Sequence, residues 1–367
     1  MGQQIENIFS FLRYSMEITD EIPQDLQEMD WRMLYDFSLK HCIVGVIYHG
    51  IARLPEGAPH PEAELEFQFY SLSDQIRRDN IRLNMVASKC TEMLQRDHFH
   101  NCILKGQGNA LMYPDPYMRT CGDIDVWVDG FDKEVIEYVR KTFPQEKAFY
   151  HHIHYPIING IKIELHYRPS YLESFYHNNN LQRFFSENKD EQFSHKVELP
   201  DDSGSVNIPT VPFNLTYQMV HVIRHFLSSG VGLRHLIDYY YLIKQGFSED
   251  ERKKTEKILY SIGMKNFVAG IMYILQVFFH LDNNDLIMPP NKRMGKFILS
   301  EILTTGNMGV SETRYSQFQS KGLWGKVSRG RKYIHFIPYL PALCINRPFF
   351  LFLEKKRWEE KFNRMES

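Results

Sequence analysis

The segment GDIDVWV (122–128) constrains this chain more than any other, because its apolar period of two is the period of an extended strand. Successive strand side chains point to opposite faces, so Ile124, Val126 and Val128 share one face while Asp123, Asp125 and Trp127 share the other. Two carboxylates are thus held close together on an element whose far side must be packed. Such a pair raises the electrostatic energy of the fold unless water, basic groups or cations compensate it, and divalent metals do so directly.

A third carboxylate is offered by IKIELH (161–166), where Ile163 and Leu165 form the apolar phase and Lys162, Glu164 and His166 the other. If this strand lies beside GDIDVWV, Glu164 completes a three-carboxylate site, although 39 residues separate it from Asp125. Carboxylates bridging Mg2+ ions neutralise a nucleoside triphosphate and activate an acceptor oxygen for in-line attack. The plainer alternative has Asp125 solvated and Glu164 paired with Lys162, since DxD by itself is common. The apolar alternation, the upstream glycine turn and Glu164 together favour the functional reading.

That glycine turn is LKGQGNA (104–110), which follows the short strand candidate NCILKG. Gly106 and Gly108 allow a close backbone turn whose amides, with a helix starting between Asn109 and Tyr113, meet phosphate oxygens. The segment is neither a P-loop nor a complete GxGxxG, and taken alone two glycines there read as a structural strand-to-helix turn. Lys105 and Arg119 are phosphate-binding candidates. Lys105 is the weaker, because its strand direction can turn it away from the site.

The ordered motifs LKGQGNALMY, YMRTCGDIDVWV and IKIELH resemble the nucleotidyltransferase (DNA polymerase beta-like) fold superfamily, particularly its bacterial nucleotidyltransferase-family members. The resemblance covers roughly residues 99–170, and VHVIRHFLSSGVGLRHLIDYYYLI is similar to helical material that follows the core in that group. It implies a small mixed-sheet α+β core flanked by helical regions. It also implies nucleotide binding by Lys105, Gly106, Gly108, Asn109 and Arg119, with Asp123, Asp125 and Glu164 as catalytic carboxylates and metal ligands. The implied cofactors are Mg2+ or Mn2+, two ions with bound NTP, and the implied reaction moves a nucleoside monophosphate to an acceptor with release of pyrophosphate. GQG departs from the commoner adjacent Gly-Gly or Gly-Ser, and Glu164 stands where Asp is usual.

FYHHIHYPI and IKIELHYRP flank Asn159-Gly160, a strong hairpin signal. A two-residue turn there pairs Tyr155 with Glu164 and His154 with Leu165, which sets His152 and His154 opposite the Glu164 face; another loop register reverses this. Structural or substrate-contact histidines are therefore preferred over a zinc cluster. His166 has the strand parity to contact phosphate or metal-bound water, and reads at least as well as a satisfied edge histidine. Downstream, Arg224, Arg234, His235 and Asp238 are candidates to line an acceptor groove, with Arg224 and Arg234 as acceptor or phosphate contacts, although ordinary interhelical polar contacts are the preferred reading of them. His221 and His225 share a helix face without HExxH.

Four regions follow: a helical 1–98, the α+β core 99–210, a helical substrate or packing domain 211–317, and a basic aromatic extension 318–367. In the first, Asp30 caps a helix, and Ile76, Asn80, Leu83, Val86, Cys90 and Leu94 line one face of a longer one. The stretch 266–281 reads as a buried core helix, too short to span a bilayer. The extension carries 11 Lys/Arg against 4 Asp/Glu, concealed in a whole-chain charge of -2. That balance excludes uniformly basic, histone-like nucleic-acid binding and favours a small-molecule, protein or sugar-like acceptor over RNA or DNA, with a non-catalytic nucleotide-binding protein as a third reading. Five cysteines without CxxC spacing and a start lacking a secretory pattern point to the cytoplasm.

Overall fold

The computed structural model describes residues 2–158, 160–307 and 334–363. The expected boundary at 317/318, the basic run 321–332 and Asn159 of the hairpin lie outside them. Helices α1 (Gln3–Ser15), α2 (Trp31–His41), α3 (Val44–Ala52) and α4 (Ala63–Arg96) come first. The core supplies β1 (Asn101–Leu104), α5 (Gly106–Ala110), β2 (Ile124–Val128), α6 (Asp132–Thr142), β3 (His152–Ile158), β4 (Ile161–His166) and α7 (Phe175–Ser194). A small ladder, β5 (Lys196–Glu198) with β6 (Ser205–Asn207), leads to α8 (Val211–Leu227), α9 (Leu233–Lys244), α10 (Glu249–Ser261), α11 (Lys265–Phe278) and α12 (Lys292–Thr305). Two further helices, Pro341–Phe350 and Lys356–Asn363, are described near the end.

Local signals explain where several of these begin. The Asp30 carboxylate accepts a hydrogen bond from the Met33 amide at 2.8 Å, satisfying one of the free N–H groups that open α2. In α4 the anticipated stripe of Ile76, Asn80, Leu83, Val86, Cys90 and Leu94 is buried. Helix α11 is packed in the interior, and no described helix is long and apolar enough to cross a membrane.

The four-stranded sheet has the order β1-β2-β4-β3, with β1 antiparallel to β2, β2 parallel to β4, and β4 antiparallel to β3. Its two faces enter different apolar clusters. Ile103, Ile124, Val126, Val128, Ile153, Ile163 and Leu165 pack with Leu83, Val86, Cys90 and Leu94 of α4 and Val135, Ile136 and Val139 of α6. Each such side chain, fully buried, contributes roughly 1.5–3 kcal/mol. From the opposite face Cys102, Leu104 and Trp127 join a larger cluster that gathers α1–α3 at one end of the chain and α8–α12 at the other. Trp127 meets Phe193 at 4.7 Å and stacks on Phe213 at 5.6 Å between ring centroids.

The β3–β4 register differs from the simple hairpin expectation. Ile158 pairs with Ile161, as a two-residue turn requires, but the register then shifts by one, so that Tyr155 faces Ile163, His154 faces Glu164 and His152 faces His166. The extra residue lies at Pro156-Ile157. Proline has no amide to give to a ladder, and a bulge is where a strand tolerates it. The shift lets Ile153, Tyr155 and Ile158 all reach the same apolar cluster, which an unbroken period of two forbids. Its consequence is that His152 and His154 turn to the Glu164 side of the sheet.

Candidate active site

The parallel pairing of β2 with β4 sets Asp125 directly beside Glu164 and Trp127 beside His166. Asp125 is buried, and two cations meet its oxygens: Lys105 Nζ lies 2.5 Å from Oδ2, and His166 Nε2 donates to Oδ1 at 2.9 Å. Burial alone raises a carboxyl pKa, but Lys105 and His166 overcome it and hold Asp125 well below the usual carboxylate range. His166 responds reciprocally. Burial pushes its imidazole down, but the bonds to Asp125 and Glu164 lift it to about 9, so it is an imidazolium at neutral pH.

Asp123, the residue just before β2, stands at the exposed lip of that strand, and its carboxyl is raised, first by the charge of Asp125 and then by desolvation, with Lys105 opposing. Glu164 is lowered: burial opposes its ionisation, while the hydrogen bond and charge of His166, together with His152, favour it.

Lys105 reaches Asp125 through its backbone. Its φ of 56° is unusual for a residue with a Cβ, and Gly106 follows at 37°. Two successive residues in this region fold the chain back at the end of β1 and bring the ammonium over β2, contrary to the expectation that strand direction turns it away. A Cβ added to Gly106 would meet nothing closer than the Asp123 carbonyl oxygen at 4.0 Å. The helix begins at Gly106, earlier than anticipated, and at five residues it offers backbone amides rather than a long dipole.

Asn109 and Arg119 differ from the simple expectation of free phosphate contacts. Arg119 grips Asp238 of α9 through two 2.7 Å bonds, the Asn109 amide donates to Asp238 at 3.2 Å, and the Tyr113 hydroxyl donates to it at 2.6 Å. Asp238 is buried, yet the Arg119 charge and its hydrogen bonds outweigh desolvation and hold its carboxyl at about 2. The two residues therefore tie the glycine turn to α9 and line the cleft as parts of a wall.

That cleft, about 380 Å3, runs between the sheet and α8–α9. Lys105, Asp123 and Asp125 form one side, with His221, His225, Arg234 and His235 opposite. Burial depresses all three of these histidines, His235 to about 3, so they present neutral rings. Arg234 faces the cleft and also donates to the Thr120 carbonyl at 2.6 Å. Arg224 is placed elsewhere: it lies over the Tyr171 ring, 4.0 Å from its centroid, and donates to Ser170 at 3.1 Å. Cys42 and Asn307 also line the cleft, joined at 3.1 Å across 265 positions of sequence, and no local pattern points to either.

A mixed sheet that carries Asp-x-Asp at the start of one strand, a carboxylate in register on its parallel neighbour and a glycine turn at the adjoining strand end is a core of the nucleotidyltransferase type. The chain belongs to the family described as uncharacterised nucleotidyltransferase, whose model matches residues 27–280, from just before α2 to just beyond α11. A crystal structure of an antigenic nucleotidyltransferase-like protein from Paracoccidioides brasiliensis is similar at 13% identity over 58% of this chain and 95% of that one, with a TM-score of 0.31. No curated protein sequence matches the chain.

Proposed function

We propose that the protein transfers a nucleoside monophosphate from an NTP to an acceptor, forming a bond between an acceptor oxygen and the α-phosphorus while the bond to pyrophosphate breaks. The observation that carries this reading is the register setting Asp125 beside Glu164, with Asp123 just before the same strand at the lip of the cleft. Their oxygen donors suit Mg2+ or Mn2+, and the like-charge repulsion felt by Asp123 is what a divalent cation relieves. Asp123 and Asp125 would hold the metal, with Glu164 completing the set. When bound, that metal supplies charge neutralisation at the triphosphate and polarisation at the reacting phosphoryl group.

The chain's own residues do the rest. The turn at Gly106 presents backbone amides to phosphate oxygens, while Gly108, inside α5, allows the helix to pack closely on Ile208. Lys105 and Arg234 bring positive charge to the cleft, and His166 keeps Asp125 ionised and oriented. Asp238, through Arg119 and Asn109, fixes the distance between the glycine turn and the helical wall. A cleft of this volume, backed by neutral imidazoles, supports a compact acceptor, whether a small molecule, a sugar-like group or a protein side chain, over a long polynucleotide. Five free cysteines support a reducing, cytoplasmic setting.

The test incubates the protein with labelled NTPs, Mg2+ or Mn2+ and fractionated acceptors, beside the folded Asp123→Asn/Asp125→Asn variant. Labelled product with stoichiometric pyrophosphate, absent in the variant, supports transfer. Nucleotide binding without turnover over a broad acceptor panel rejects it.

A further inference from the structure

The bulge in β3 brings to Glu164 two histidines that the nucleotidyl-transfer reading does not use. Glu164 is also met by two imidazoles of β3: His152 Nε2 lies 3.5 Å from Oε2 and His154 Nε2 lies 3.7 Å from Oε1. Both separations are too long for good hydrogen bonds. They fit the edges of a coordination shell, since a tetrahedral ion with bonds of about 2.0–2.1 Å holds its donor atoms roughly 3.3 Å apart. The donor atoms of His152, His154 and Glu164 all lie within 4.8 Å of one another.

Three further details mark a built site. His152 is 8% exposed, and its Nε2 has no hydrogen-bond partner among the described residues, an arrangement that costs free energy unless something else accepts its lone pair. Its other nitrogen, Nδ1, is engaged by His151 Nε2 at 3.1 Å, the outer contact that typically fixes the tautomer and ring direction of a metal-binding histidine. Phe149 stacks on His152 at 4.9 Å and lies against His154 at the same distance, walling the pair with an apolar ring. His154 is half-exposed, which leaves a path for an ion to enter and a face open to water. His166 Nε2, 2.9 Å from Asp125 Oδ1 and 3.4 Å from Glu164 Oε2, sits between the two carboxylates as their counter-ion and is not counted among the ligands.

We propose that His152, His154 and Glu164 form a site for one divalent first-row transition ion of the zinc class, beside the Asp123/Asp125 pair and sharing Glu164 with it. Two imidazoles and one carboxylate suit such an ion, whereas Mg2+ favours oxygen donors throughout. The ion would clamp β3 to β4 at the bulge and seat a fixed positive charge on the strand next to Asp125.

The full-length protein, stripped by a chelator and dialysed, is titrated with Zn2+ alone by competition with a chromophoric chelator, and its melting temperature is followed with and without Zn2+. One equivalent is expected to bind and to raise the melting temperature of the wild type, as a ligand of the native state does. His154→Ala, at a half-exposed position, is expected to weaken binding roughly tenfold or more and to abolish the thermal shift. Asp123→Asn is expected to leave zinc affinity unchanged. X-ray absorption of the zinc-loaded wild type is expected to show two imidazole nitrogens, a readout that no variant's folding can confuse. The proposal fails if no stoichiometric zinc binds, if His154→Ala binds as tightly as wild type, if Asp123→Asn weakens binding as much as His154→Ala, or if the ion sees oxygen alone. It does not depend on nucleotidyl transfer: a protein that binds zinc in this way without turning over NTPs keeps this site and loses only the transfer reading.

Discussion

Four donors converge on Asp238 from three side chains, and its value lies in what happens when it is removed. Asp238→Ala leaves the Arg119 guanidinium buried without its partner, a change that costs about 3–5 kcal/mol, to be read from urea unfolding. Because the folded pKa of Asp238 is about 2, below its unfolded value, its contribution is complete above roughly pH 4 and is lost as pH falls from there through about 2. Asp238→Asn should flatten that limb of the stability profile. A second acid-sensitive group acts in a milder range. Burial, aided by the charge of Lys40, holds His41 neutral to about pH 3, whereas the unfolded chain protonates it near 6.5, so stability declines as pH drops through that window. His41→Phe, which keeps a ring beside Phe37, is expected to remove part of the decline in a series of melts from pH 7 to 4. Of these residues the sequence offers Asp238 as a candidate lining of an acceptor groove or an interhelical contact, and Arg119 as a phosphate-binding candidate. Their bond spans 119 positions and is fixed only when α9 packs on the glycine turn.

Among the elements, β2 and β4 were readable because alternation states which side chains share a face, and the Asp125–Glu164 pairing follows once the two strands are neighbours. Strand β3 was not fully readable, because a bulge changes parity without leaving a period to detect, and Pro156 is its one sequence cue. Deleting Ile157 should force either Ile158 or the pair Ile153 and Tyr155 out of the apolar cluster. Ile153 is fully buried and Tyr155 and Ile158 partly so, so the expected loss is about 1–3 kcal/mol in a denaturant titration. The close approach of α3 to the segment before β2 makes a separate test. A Cβ on Gly45 would stand 2.3 Å from the Met118 carbonyl oxygen, so Gly45→Ala should cost about 1–3 kcal/mol and lower the melting temperature.

For the molecule as a whole, the helices before the sheet and those after it enter one apolar cluster reaching from Ile8 to Cys344. Sequence periodicity marks each helix but carries no record of which distant helix covers it, so the shared core appears only in three dimensions. An isolated 99–210 fragment would expose the Trp127 face that α8 covers. It is expected to aggregate or bind a hydrophobic dye, while the full chain unfolds in a single transition followed by tryptophan fluorescence.

The double pairing of Asp125 reaches beyond geometry. Lys105 and His166 already serve as its counter-ions, so Asp125 would meet an arriving metal–nucleotide as a paired carboxylate rather than a bare anion. On the proposed reading, Asp125 would help hold the metal, and Lys105, leaving the carboxylate, would turn its ammonium to the polyphosphate. Since paired charges replace paired charges, the encounter should depend only weakly on ionic strength, unlike association driven by an unscreened field.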